Sequence, residues 1–205
     1  MTDLAHTQAR IEAERLVAIV RTGDLEEAIR IVDQLVDVGV TVVEFSLSGA
    51  AALPALRDAA ERHGSRLTLG TGTVLDPRDV ELSVAAGATF LVAPNVDPAV
   101  CREAARLGVL HIPGALTPTE VALALQLGAP IVKLFPAARM GPSYVRDLRG
   151  PFPYVQLLAT GGISADNAAD FFAAGCVAVA AGGALTGGDP EAARRLVHAT
   201  RRPDA

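Results

Sequence analysis

Lysine is nearly missing from this sequence. Of the 18 basic side chains in 205 residues only Lys133 is a lysine, and the others are arginine. Long basic runs are missing too, and the formal net charge is -5, so no row of phosphate contacts is on offer and a nucleic-acid partner is not expected. The densest basic spots, Arg194-Arg195 and Arg201-Arg202, read as the solvated face of a terminal helix. Two cysteines, Cys101 and Cys176, make neither a disulfide framework nor a C-x-x-C pair, which leaves them as small buried fillers in a reducing compartment. No apolar stretch reaches the ~18 uncharged residues of a spanning helix, so no membrane partner is expected. The opening MTDLAHTQARIEAERLV carries acidic residues where a secretory leader has an apolar core, and a soluble, cytoplasmic protein is expected. The four histidines are scattered, and only His111 falls on a strand, where a satisfied core histidine is the plain reading. No metal and no cofactor is expected.

What is present is a repeat of elements. Half the residues are apolar, and the length suits one well-filled core. A short apolar run followed by a helical pattern recurs eight times, the runs being LVAIV (16–20), TVVEFSL (41–47), RLTLG (66–70), ATFLVAP (88–94), VLHIP (109–113), PIVKLF (130–135), VQLLA (155–159) and VAVAAGG (177–183). After the first run Leu25, Ile29, Val32 and Val36 share one helix face. Several helices open with Asp-Pro or Thr-Pro, a cap followed by proline at the first helical position, and end on glycine. Strands alternating with helices imply parallel pairing through right-handed crossovers. Eight such pairs predict a single (β/α)8 TIM barrel over residues 1–205, with residues 1–14 as a short N-terminal helix. A doubly wound open sheet is the alternative.

In such a barrel the reactive groups sit at the C-terminal ends of the strands. Strand alternation puts Ile131, Lys133 and Phe135 on one face, and Val42, Glu44 and Ser46 on another. If Lys133 and Glu44 both point inward they approach each other near the axis. A buried ion pair is one reason for that arrangement and chemistry is the other. Arginine is the usual choice for a fixed buried pair. Lysine offers an amine that can lose its proton and attack a carbonyl once burial lowers its pKa. The paired glycines Gly161-Gly162 and Gly182-Gly183 close adjacent strands, where barrel enzymes hold phosphate on backbone N–H groups. Thr73, in GTGTV, could serve a substrate or cap the helix that begins at Asp76. Arg21 follows the first strand directly, at the same rim, where it could hold a carboxylate or phosphate bidentately or simply face solvent.

These residues, in this order, resemble the 2-keto-3-deoxy-6-phosphogluconate / 4-hydroxy-2-oxoglutarate aldolase family. The similarity runs from Leu16 to Leu185 through LVAIVR, VVEFSL, GTGTVLDP, VAPN, IPGALTPTE, IVKLFPA, GPSYVRDLRGPFP, TGGIS and GGAL. The resemblance implies a metal-independent class I aldolase, a homotrimeric (β/α)8 barrel that splits a 2-keto acid into pyruvate and an aldehyde such as glyceraldehyde 3-phosphate or glyoxylate. By the match at IVKLFP, Lys133 is the Schiff-base lysine; by the match at VVEFSL, Glu44 is the general acid/base. Thr73 and Thr160 resemble substrate-contacting threonines, and Pro94 and Phe135 resemble residues that pack around the pyruvyl group. Some members carry an arginine where this chain has Ser48, and the carboxylate role passes here to Arg21. Gly182-Gly183 stands where members often have Gly-Ser, and Ala159 stands where proline usually precedes TGG. The alternatives are another phosphate-binding barrel, such as a thiamine-phosphate synthase or sugar-phosphate epimerase, and a non-catalytic barrel.

Overall fold

The computed structural model describes residues 4–201. Residues 1–3 of the expected leading helix, and Arg202, lie outside them. The strands are β1 (Leu16–Val20), β2 (Val42–Ser46), β3 (Thr68–Gly72), β4 (Phe90–Val92), β5 (Leu110–Ile112), β6 (Gly114–Ala115), β7 (Val132–Leu134), β8 (Leu157–Thr160) and β9 (Ala178–Ala181). Every pairing is parallel, in the order β5-β4-β3-β2-β1-β9-β8-β7-β6. The two ends of that order are one stretch of chain. Pro113 has no N–H to give to a ladder and divides it, so β5 pairs with β4 while β6 pairs with β7. The Pro113 carbonyl still accepts from Lys133 N at 2.9 Å. The sheet therefore closes into a barrel of eight strand positions.

The helices are α1 (Leu4–Glu14), α2 (Leu25–Asp37), α3 (Ala52–His63), α4 (Pro77–Ala85), α5 (Pro98–Leu107), α6 (Pro118–Gln126), α7 (Ala137–Arg149), α8 (Ala168–Ala174), α9 (Gly183–Thr186) and α10 (Pro190–Thr200). Their starts are chemically marked. Asp24, Asp76, Asp97, Thr117 and Asp189 each accept a backbone N–H of the first turn, and Asp76/Asp79 and Thr117/Glu120 form reciprocal capping boxes. Each cap stabilises its helix by ~1 kcal/mol. Helix α7 is kinked at Gly141, just before Pro142.

Strand alternation sorts the core into two shells. Leu16, Ala18, Val43, Phe45, Leu69, Leu91, Val132, Leu157 and Val179 face the helices. Val17, Val42, Phe90, Val92, Leu110, Ile112, Ile131, Leu158 and Ala178 fill the barrel, and Ile11 of α1 joins them as a plug. Gly70 makes room inside, because a Cβ there would lie 2.6 Å from Cγ of Phe90. Each fully buried Leu or Ile is worth roughly 1.5–3 kcal/mol over exposure, so the filled half of the barrel is a rigid base. Going up the strands the interior turns polar, from Val42 to Glu44 to Ser46 and from Ile131 to Lys133. The C-terminal mouth is where the chemistry lies.

Some boundaries differ from those expected. A 3₁₀ turn at Gly64–Arg66 extends the end of α3, so β3 starts at Thr68 and runs to Gly72. The segment SADN after Gly161-Gly162 is a turn, and α8 begins only at Ala168. Asn167 explains it: its side chain accepts from Ser164 N at 3.0 Å and donates to the Gly162 carbonyl at 2.9 Å, holding the loop in place of a first helical turn. The short α9 was not expected either.

Candidate active site

A cavity of about 600 Å³ opens at the C-terminal mouth. Arg21, Glu44, Thr73, Pro94, Lys133, Phe135, Thr160, Gly161, Gly162, Gly182 and Gly183 all line it. Eight strand positions bring them together from across the sequence. Sequence reasoning missed Ile19, Ile163, Ala180 and Thr186, which line the same space, and the buried Ser46, whose hydroxyl lies 2.9 Å from that of the lining Thr73. Alternation along β2, which puts Ser46 on the face of Glu44, was the available signal for the last.

Lys133 sits at the centre of β7 and is 7% exposed, and Glu44 at the centre of β2 is 2% exposed. The two face each other electrostatically without a direct ion pair, and Glu44 Oε2 is buried without a hydrogen-bond partner. Burial pushes the Glu44 carboxyl above the usual carboxylate range, against the pull of Lys133 and Arg21. Burial lowers the Lys133 amine; Glu44 opposes this and Arg21 adds to it. Both groups are thus moved toward their neutral forms. A fixed ion pair would have made direct contact, so the arrangement suits proton exchange better than charge fixation. Lys133 Nζ also lies 5.2 Å from the ring centroid of Phe135, which is 41% exposed at the rim.

The other groups divide by role in the wall. Thr73 does not cap α4, which the Asp76/Asp79 capping box does. Its Oγ1 lies 2.9 Å from Ser46 Oγ, and its backbone is held at φ 62, rare for a β-branched residue. Thr71 points the other way and donates to Ser83. Thr160 Oγ1 is buried with no partner. Among the described residues, the N–H groups of Gly161, Gly162, Gly182 and Gly183 find no internal acceptor. A cluster of free donors with no carboxylate among them is suited to an anion.

His111 corrects an expectation. It is buried on β5, away from the cavity, but its Nε2 has no hydrogen-bond partner, so it is not satisfied. Burial pushes its pKa down to about 4 and keeps it neutral. Both cysteines are buried, and burial pushes the Cys176 thiol up to about 12. Among the described residues no three His, Cys, Asp or Glu side chains converge, and no helix is long and apolar enough to cross a membrane.

Comparison with known proteins gives the family. Residues 7–193 match the family model described as KDPG and KHG aldolase. The chain belongs to that family. It is an aldolase, a carbon–carbon lyase. Over 171 residues this aldolase is 36% identical to a probable 2-dehydro-3-deoxy-6-phosphogalactonate aldolase of Rhizobium meliloti (strain 1021), covering 83% of this chain and 81% of the relative. Over 178 residues it is 34% identical to the 2-dehydro-3-deoxy-phosphogluconate aldolase of Pseudomonas aeruginosa, covering 84% and 80%. The crystal structure of the 2-keto-3-deoxy-6-phosphogluconate aldolase from Zymomonas mobilis ATCC 29191 matches with a TM-score of 0.83 at 25% identity, over 97% of this chain and 95% of that one.

Proposed function

We propose that Lys133 is the imine-forming nucleophile and Glu44 the proton carrier of this aldolase, acting on a phosphorylated 2-keto-3-deoxy sugar acid. One observation carries the reading: the single lysine of the chain is buried with its amine pushed toward neutrality, in one cavity with a carboxyl that does not pair with it. An exposed ammonium stays protonated and cannot add to a ketone. The neutral Nζ adds to the C2 carbonyl, and loss of water from the adduct gives an iminium. The C3–C4 bond then breaks, its electron pair moving into the iminium to leave an enamine. Glu44, directly or through a water, takes the C4 hydroxyl proton as the aldehyde forms. The enamine is protonated at C3, and hydrolysis of the imine frees pyruvate and Lys133.

The walls order the substrate around that atom. Arg21 and Thr73 on the β1–β3 side receive the carboxylate next to the ketone. Thr160, whose hydroxyl has no internal partner, faces a hydroxyl of the sugar chain. The donors of Gly161, Gly162, Gly182 and Gly183 receive the terminal phosphate. The test is pyruvate release from the gluconate and galactonate forms of 2-keto-3-deoxy-6-phospho acids, from their unphosphorylated counterparts and from 4-hydroxy-2-oxoglutarate. The phosphorylated six-carbon acids should give the highest kcat/KM, with inorganic phosphate competing. Equal cleavage of phosphorylated and unphosphorylated acids, without competition by phosphate, would reduce the glycines to turn residues.

A further inference from the structure

Three side chains from three strand ends converge on one buried hydroxyl. Ser46, the last residue of β2, is 1% exposed. Arg21, just beyond β1, donates its Nε–H to Ser46 Oγ at 3.4 Å. Ser48 Oγ lies 2.8 Å from the same atom, and Thr73 Oγ1, just beyond β3, lies 2.9 Å from it. A serine hydroxyl has one proton and two lone pairs. The guanidinium uses one lone pair. Of the two hydroxyl neighbours, one must therefore receive the Ser46 proton and the other must donate to the remaining lone pair.

The two possible orders present opposite faces to the cavity. When Ser46 donates to Ser48, Thr73 donates to Ser46 and turns only lone pairs toward the cavity. When Ser46 donates to Thr73, the Thr73 proton is free for whatever lies beside Arg21. We infer that Ser46 is a positioning residue that makes Thr73 a hydrogen-bond donor to the substrate carboxylate, in the proton order Ser48 to Ser46 to Thr73 to carboxylate. The inference rests on the reading that Lys133 forms an imine with a 2-keto acid whose carboxylate lies at Arg21. An anion beside the guanidinium selects the order that offers it a proton, because a charge-assisted hydrogen bond is about twice as strong as a neutral one and lone pairs repel. The same contact braces Thr73 at its left-handed φ, which fixes where that proton points. The chain thereby distinguishes a 2-keto acid from an uncharged ketone of the same shape.

The test is borohydride trapping at Lys133 as a function of ketone concentration, with pyruvate and with its uncharged methyl ester. It compares the parent protein, Ser46→Ala, Thr73→Val and the double variant, with circular dichroism to establish folding. Ser46→Ala keeps the Thr73 proton but no longer directs it, so it should raise the half-saturating pyruvate concentration roughly 3- to 10-fold, less than the loss of a whole hydrogen bond to a charged group, and the ester's by less than about twofold. Thr73→Val should show the same selectivity, and the double variant should lose less than the product of the two single losses, because Ser46 acts through Thr73. Equal shifts for acid and ester, or fully multiplicative losses, would overturn the positioning role while leaving Lys133 as nucleophile. Absence of trapping in the parent would overturn the nucleophile reading and this inference with it. If Ser46→Ala does not fold, the near-isosteric Ser46→Cys, a weak donor, decides by the same comparison of acid and ester.

Discussion

The space that a Cβ on Gly72 would take is already occupied by Oε1 of Glu44. The neighbouring strand thus sets the acid/base carboxyl in place by leaving a side chain out. The φ of Gly72 is one that any residue can adopt, so an alanine there meets no backbone strain, only the carboxyl.

Gly72→Ala is therefore expected to keep the barrel and displace Glu44. Turnover should fall by roughly 10²-fold, the cost of misplacing a catalytic group by ~1 Å. Steady-state kcat alongside circular dichroism measures this. A folded alanine variant with the parent's turnover would show that chemistry does not depend on where Glu44 sits.

Glu44→Gln keeps the shape and removes the titrating proton, and turnover should fall by roughly 10²–10⁴. The pH profile gives a sharper check. Burial raises the Glu44 carboxyl and lowers the Lys133 amine, so the reactive pair, holding one proton between them, exists in a narrowed window. In the parent, kcat/KM should rise with pH as the pair loses its first proton and fall as it loses its second. Both limbs should lie between the ordinary carboxylate and lysine values. Removing Glu44 also removes the attraction that partly holds the amine's pKa up. Imine formation in the glutamine variant should therefore rise with pH at a midpoint below the parent's alkaline limb, but not below its acid limb, and show no alkaline fall. A midpoint at or above the parent's alkaline limb, or a fall retained at high pH, would contradict this.

Gly183 has open space where a side chain would go and no positive φ, so Gly183→Ser should be tolerated. An added hydroxyl toward the phosphate is worth ~1.5–3 kcal/mol where the bond forms. The variant should widen the preference for phosphorylated over unphosphorylated substrate, mainly through KM. Paired kinetics on the two substrates measure it, and an unchanged ratio would place the phosphate elsewhere.

Much of this was legible in the sequence because the decisive features are costly ones. A charge in the middle of IVKLF costs too much to be incidental, and strand alternation puts Lys133 on the face of Ile131 and Glu44 on the face of Val42, the faces that fill the barrel in the structure. The glycine pairs were legible because they close successive strands. The rest depended on tertiary packing. Nothing local distinguishes Gly72, which serves a side chain on another strand, from a glycine that only turns the chain. Ser46 looks like any polar residue at a strand end until Arg21, Ser48 and Thr73 arrive from the loops around it. Pro113 reads as the end of a strand, yet pairing with β7 lets Gly114–Ala115 resume it. The late start of α8 depends on bonds from Asn167 that compete with helix propensity.

The role of Lys133 as nucleophile is open to direct chemical trapping. The protein is incubated with pyruvate and borohydride, digested, and the adduct located by peptide mass. A single reduced pyruvyl adduct is expected on Lys133, absent from Lys133→Arg because a guanidinium keeps its charge and cannot form the imine. An adduct confined to the α-amino group, or one that survives in Lys133→Arg, would contradict it.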